Sequence, residues 1–176
     1  MTSRFRPALL LLACVATLAA PLAAKDSLGV FSGWAAFRDA QVPRCYAIAK
    51  PEPTGPQAMR ARDYEPYASV ATWPTRQIRG QLHFRLSREL VQGARISLRV
   101  GGRSFALTGG GGDAWAVDPA MDAAIVAAMR SAESMTVSST AKTGRRFSDR
   151  YLLAGAATAM DAATVGCAPA ALRGKR

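Results

Sequence analysis

The chain has 176 residues, 49% of them hydrophobic and 7% aromatic, with a formal net charge of +11. That length excludes a multi-domain enzyme and suffices for one domain with a real core, and the apolar content excludes a disordered polyelectrolyte. One histidine and three cysteines exclude two independent zinc sites.

Residues 1–24 have the pattern of a secretion signal. Arg4 and Arg6 precede an uncharged run from Pro7 to Pro21, and small residues at Ala23 and Ala24 precede the charged pair Lys25-Asp26. The alternatives are a retained membrane anchor, since the apolar run of about 18 residues is near the spanning minimum, and a lipoprotein. For the latter, Leu11-Leu12-Ala13-Cys14 has lipobox character, although the chain stays apolar after Cys14. Cleavage after Ala24 leaves Cys45 and Cys167. An even cysteine count in an exported chain implies a disulfide, here with one possible intramolecular pairing.

Leu28–Phe37 reads as a first extended piece and Arg44–Ala49 as a second. Lys50–Pro66 holds four prolines and a glycine and reads as a loop. Tyr67–Trp73 is a strand stopped by Pro74. Gln81–Leu86 alternates, with Leu82, Phe84 and Leu86 opposed to Gln81, His83 and Arg85. Arg95–Val100 repeats the pattern with Ile96, Leu98 and Val100 inward. Gly101-Gly102 is a hairpin turn into Arg103–Thr108, with Phe105 and Leu107 inward. Gly109–Gly112 reads as a glycine loop and Trp115–Val117 as a short extended piece.

Asp118-Pro119 opens a helix, Asp as cap and Pro at the first helical position. Met121, Ile125, Ala128, Met129 and Ala132 form its apolar stripe. Ser134–Thr140 and Arg146–Leu153 are strands joined by a turn at Lys142-Thr143-Gly144. Ala156–Val165 is an alanine-rich helix closed by Gly166, and residues 169–176 form a basic tail. Short alternating strands with few helices point to one all-β domain over residues 25–168, an antiparallel β-sandwich or a partly open barrel with one or two short helices.

Chemistry is sparsely signalled. His83 lies on the outward phase of its strand and reads as a surface residue. The acid pairs Glu52/Glu65 and Asp118/Asp122 read as a loop pair and as helix-start acids that suit the dipole. The glycine run lacks the Lys-Ser/Thr of a P-loop. No metal or cofactor set is present, so none is expected. The stronger pattern is basic. His83, Arg85, Arg95 and Arg99 fall on polar strand phases, and Arg103 lies beside them. If Gln81–Leu86 pairs with Arg95–Val100, they make one patch for an anionic envelope component or another protein. The competing explanation is composition, because 19 of the 23 basic residues are arginine. Export and the lack of interleaved aromatics argue against nucleic acid.

Several segments together resemble the invasion-associated locus B family of secreted proteobacterial proteins. The cues are Gly33-Trp34, Arg44-Cys45-Tyr46, the strand Gly93-Ala94-Arg95-Ile96-Ser97-Leu98-Arg99-Val100, the helix leading into Met135-Thr136-Val137, and Tyr151-Leu152-Leu153-Ala154-Gly155-Ala156. The family's cysteine near the position of Arg38 and its Cys-x3-Gly-Cys before the helix are absent, so its disulfide scheme does not transfer. The resemblance implies an exported β-rich domain without established catalytic residues. The expectation is therefore a periplasmic or secreted, non-enzymatic, envelope-associated binding or accessory protein, with no membrane span after signal cleavage. The alternative is a periplasmic enzyme or enzyme inhibitor.

Overall fold

A computed structural model describes residues 25–53 and 62–168. The signal, the lipobox at Cys14 and the basic tail lie outside the described residues, as does part of the proline-rich loop.

Among the described residues ten strands form a single antiparallel sheet: β1 (Asp26–Phe31), β2 (Trp34–Asp39), β3 (Arg44–Ala49), β4 (Tyr67–Trp73), β5 (Ile78–Arg85), β6 (Ile96–Val100), β7 (Arg103–Gly110), β8 (Asp113–Trp115), β9 (Ser134–Thr140) and β10 (Arg146–Leu152). Helix α1 spans Pro119–Met129 and α2 spans Ala156–Gly166. The spatial order is β1-β2-β3-β4-β5-β8-β7-β6-β9-β10, with β1 and β10 unpaired to each other, so the sheet does not close. The arrangement is sandwich-like. Strand β7 makes the corner, because Arg103–Leu107 pair with β6 while Thr108–Gly110 pair with β8.

Period-2 burial builds the core. Leu82 and Phe84 of β5, Ile96, Leu98 and Val100 of β6, and Met135 and Val137 of β9 all point inward. The layers meet where Phe84 packs on Tyr151 with ring centroids 5.7 Å apart. They meet again where the Trp34 indole N–H donates to the Leu152 carbonyl at 2.9 Å. The first layer is thin in side chains, with Ala36, Ala47, Ala49 and Ala68 buried, which lets α2 lie close against β1, β2 and β3. The Cys45–Cys167 disulfide joins β3 to the residue after α2, Cα–Cα 5.6 Å. The pairing inferred from the cysteine count is thus present.

Four expectations change. The piece Leu28–Phe37 is two strands, β1 and β2, paired Phe31 to Trp34 around Ser32-Gly33. That turn places Ser32 at φ +53, and Ser-Gly lacks the Asn or Asp that normally announces a tight hairpin. The glycine loop is mostly strand. Gly109 and Gly110 continue β7, and a Cβ at Gly109 would lie 2.1 Å from the Asp113 carbonyl oxygen, so the close pairing of β7 with β8 depends on glycine there. The short extended piece expected at Trp115–Val117 is β8, which ends at Trp115. Strands β5 and β6 do not pair, because β8 and β7 lie between them.

Candidate functional site

The separation of β5 from β6 splits the expected cationic patch. On the β5 side, His83 and Arg85 face outward beside β8, whose Asp113 takes both. His83 Nε2 is 2.9 Å from Asp113 Oδ1, and Arg85 donates to Asp113 Oδ2 at 2.5 Å. The His83 ring stacks on Trp115 and meets Tyr67 edge-on, and the Arg85 guanidinium lies 3.8 Å from the Tyr64 ring centroid. Both side chains are therefore partly buried and engaged by one carboxylate. The His83–Asp113 pair is closed by Arg85, and no serine, threonine or cysteine is hydrogen-bonded to the ring among the described residues. Sequence reading missed Asp113, since its place opposite β5 depends on the insertion of β8.

Arg103 also leaves the patch. It shares the inward phase of Phe105 and Leu107, stacks over Phe105 at 5.1 Å and reaches the Ala124 carbonyl of α1. Arg95 stays exposed just before β6, its carbonyl accepting from Ser139 Oγ at 3.0 Å.

Arg99 gains new neighbours. Across the outer face of β6, β9 and β10 the register sets Ser97 beside Ser138 beside Ser148, and Arg99 beside Thr136 beside Arg150. Arg146 stands beside Thr140. Ser97, Arg99, Thr136, Ser138 and Arg146 line a shallow groove of about 380 Å³. Arg150 is held by Glu52 at 2.9 Å, in the segment whose backbone N–H at Glu52 also pairs with the Arg150 carbonyl on the β10 edge. No salt bridge joins Arg95, Arg99 or Arg146 to an acid among the described residues. The groove is thus two unpaired guanidinium groups over a floor of hydroxyls. This suits an anion with several oxygens, because guanidinium forks and hydroxyls both donate to it. Arg146 escaped the sequence reading because nothing in the sequence placed the β9–β10 hairpin beside β6.

Two buried carboxylates serve the scaffold. Asp122 of α1 accepts from the Leu82 N–H at 2.8 Å, a donor lying just past the end of the β8 pairing. Asp149 of β10 accepts from the Ser87 N–H at 2.9 Å. Burial pushes both carboxyls above their ordinary range. The bond to Leu82 opposes this at Asp122, and the Ser87 bonds with the nearby Arg62 and Arg88 oppose it at Asp149. A raised folded-state value means folding favours the protonated form. The contribution is therefore most favourable at acid pH and is lost as pH rises through the folded value. Asp149→Asn keeps an acceptor for Ser87 without the charge. The variant is expected to be more stable than the parent at neutral pH, with the difference shrinking as pH falls. Urea midpoints across that range check this, and a variant weaker than the parent at neutral pH would mean that Arg62 and Arg88 require the charge.

No protein-family model matches the chain, and no curated protein matches it in sequence. Among solved structures, invasion associated protein B from Bartonella henselae is similar, with a TM-score of 0.54 and 15% sequence identity over 76% of this chain and 92% of that one. At that identity the likeness is one of fold. No helix among the described residues is long and apolar enough to cross a membrane. The chain therefore has the fold of invasion associated protein B, the protein type whose motifs its sequence resembles.

Proposed function

We propose that the chain is an exported, non-enzymatic binding domain of the invasion associated protein B type, which meets an anionic surface of the cell envelope through the outer face of β6, β9 and β10. One observation carries this reading: Arg99 and Arg146 flank a hydroxyl-lined groove with no acid in salt-bridge range among the described residues. Several other cations are paired, as Arg38 with Asp26, Arg85 with Asp113, Arg130 with Asp161 and Lys142 with Glu89. Guanidinium groups left open on a rigid sheet are pre-positioned for phosphate or carboxylate groups. Export is supported by the apolar N-terminal run, by the disulfide, which belongs to oxidising compartments, and by the likeness in fold.

The test is cosedimentation with vesicles carrying anionic lipid against vesicles of neutral lipid. Binding to the anionic vesicles is expected to fall as salt rises. Near an anionic surface each basic residue contributes about 1 kcal/mol, so reversing both charges in Arg99→Glu/Arg146→Glu is expected to weaken binding by about tenfold or more. Substituting His83 and Arg85 by glutamine is expected to change it little, because both are engaged by Asp113 and packed on Trp115 and Tyr64, away from the groove. Salt-insensitive binding, or binding unchanged in the double reversal, would overturn the reading.

A further inference from the structure

A second cavity lies away from the arginine groove. It is a cleft of about 1040 Å³ between the β4–β5 connection, the outer side of α1 and the end of α2. This is at the upper end of the ~300–1,000 Å³ typical of small-molecule sites. Its origin is a run of small side chains. Ala123 and Ala127 stand one turn apart on α1, so the helix cannot fill the space in front of Ile78 and Val126. The walls are rigid. Trp73 is held between the guanidinium groups of Arg44 and Arg76, 5.3 Å and 4.9 Å from its ring centroid. Cys167, on the opposite wall, is fixed to β3 by the disulfide. The charged side chains of the lining are both positive. Arg79 has no salt bridge among the described residues, and Arg130 is held by Asp161 through two bonds, 2.7 Å and 3.3 Å.

We propose that this cleft binds an amphiphile with one aliphatic chain and an anionic head, the chain lying against Ile78, Val126 and Trp73 and the head at Arg79. Charge complementarity selects this occupant over the chain's own C-terminal residues. These follow Ala168 at the cleft wall in sequence but include Arg173, Lys175 and Arg176, of the same sign as the arginines of the lining.

The experiment titrates the purified oxidised protein with dodecyl phosphate below its micellar concentration, following Trp fluorescence and calorimetry. Dodecyl maltoside and inorganic phosphate are the comparison probes. The expected result is saturable one-to-one binding of dodecyl phosphate, at least tenfold tighter than either comparison. Ala127→Trp, an exposed helix position that fills the cleft, is expected to abolish binding without lowering the melting temperature. Arg79→Glu is expected to weaken it about tenfold, while Arg99→Glu/Arg146→Glu leaves it unchanged, which separates this site from the sheet groove. Equal binding of the neutral detergent would overturn the proposal, as would binding that survives Ala127→Trp. No binding by a protein that dimerises with concentration would assign the cleft to a second copy. No binding until Leu172→Asp is introduced would assign it to the C-terminal residues. Either outcome would also overturn it.

Discussion

A Trp34→Ala variant is expected to lose about 4–6 kcal/mol of stability, a large share of the ~5–15 kcal/mol of a typical domain. Two effects add. Trp34 is fully buried in β2, and truncating a buried tryptophan to alanine costs about 3–5 kcal/mol, since rigid neighbours collapse only partly into the cavity. Its N–H also donates to the Leu152 carbonyl at the end of β10, and leaving this part-buried acceptor unpaired costs a further ~1–3 kcal/mol at most. Relaxation around the cavity keeps the total below the sum. The location sharpens the effect, since this bond ties one layer of the sandwich to the other. Just beyond Leu152, Gly155 at φ +84 passes so close to the Phe31 carbonyl that an added Cβ would lie 1.9 Å away. Trp34→Phe keeps most of the volume and loses only the bond, so its expected loss is about 1–3 kcal/mol. Urea unfolding with the disulfide intact checks both, and equal losses in the two variants would mean that cavity formation contributes nothing at this site.

Strand identity was legible where alternation or a chain-breaking residue marked the segment, even in β3 and β4, which are buried on both faces. Arg44–Ala49, Tyr67–Trp73 and Ser134–Thr140 fall on their expected bounds because alternation, a proline stop or a glycine turn marks each end. The helix opening at Asp118 was legible for a chemical reason: its carboxylate accepts from the Met121 N–H at 2.7 Å, as a cap should. What did not show was pairing. The short β8 and the extension of β7 through two glycines put two strands between β5 and β6. Neither has a side-chain pattern, because Gly109 and Gly110 have no side chains to alternate. Without that insertion, neighbours in sequence looked like neighbours in space.

The same failure decided how much of the site could be read. Arg99 was found, since its outward phase is local information. Arg146 was not, since its closeness to Arg99 is a fact of the β6–β9–β10 register, set by contacts between segments distant in sequence. His83 and Arg85 were assigned to the patch on their phase alone. Both are engaged by Asp113, which a pattern of single strands cannot place. Phase, then, reports which face a charge lies on, whereas whether it is free depends on the partner strand.

Removing the disulfide is the second large effect. Cys45 and Cys167 are 122 residues apart, so the bridge closes a long loop and limits the unfolded chain by about 5 kcal/mol in the chain-entropy account. Its local consequence is as important. Helix α2 has 11 residues, follows Gly155 without a side-chain cap, and packs on strands whose inward residues are largely alanines. A helix that short is marginal alone, and alanine offers little apolar area to hold it. The bridge clamps its far end. The Cys45→Ala/Cys167→Ala variant is accordingly expected to lose about 3–5 kcal/mol and to melt about 10–15 °C lower. Amide exchange in 156–166 is expected to accelerate more than in β5 or β9. Reductant should reproduce the shift in the parent and leave the variant unmoved. In a reducing compartment the domain would then stand near its stability limit, which links the compartment in which it folds to a single bond. A reduced parent that keeps its melting temperature would break that link and remove the disulfide from the argument for export.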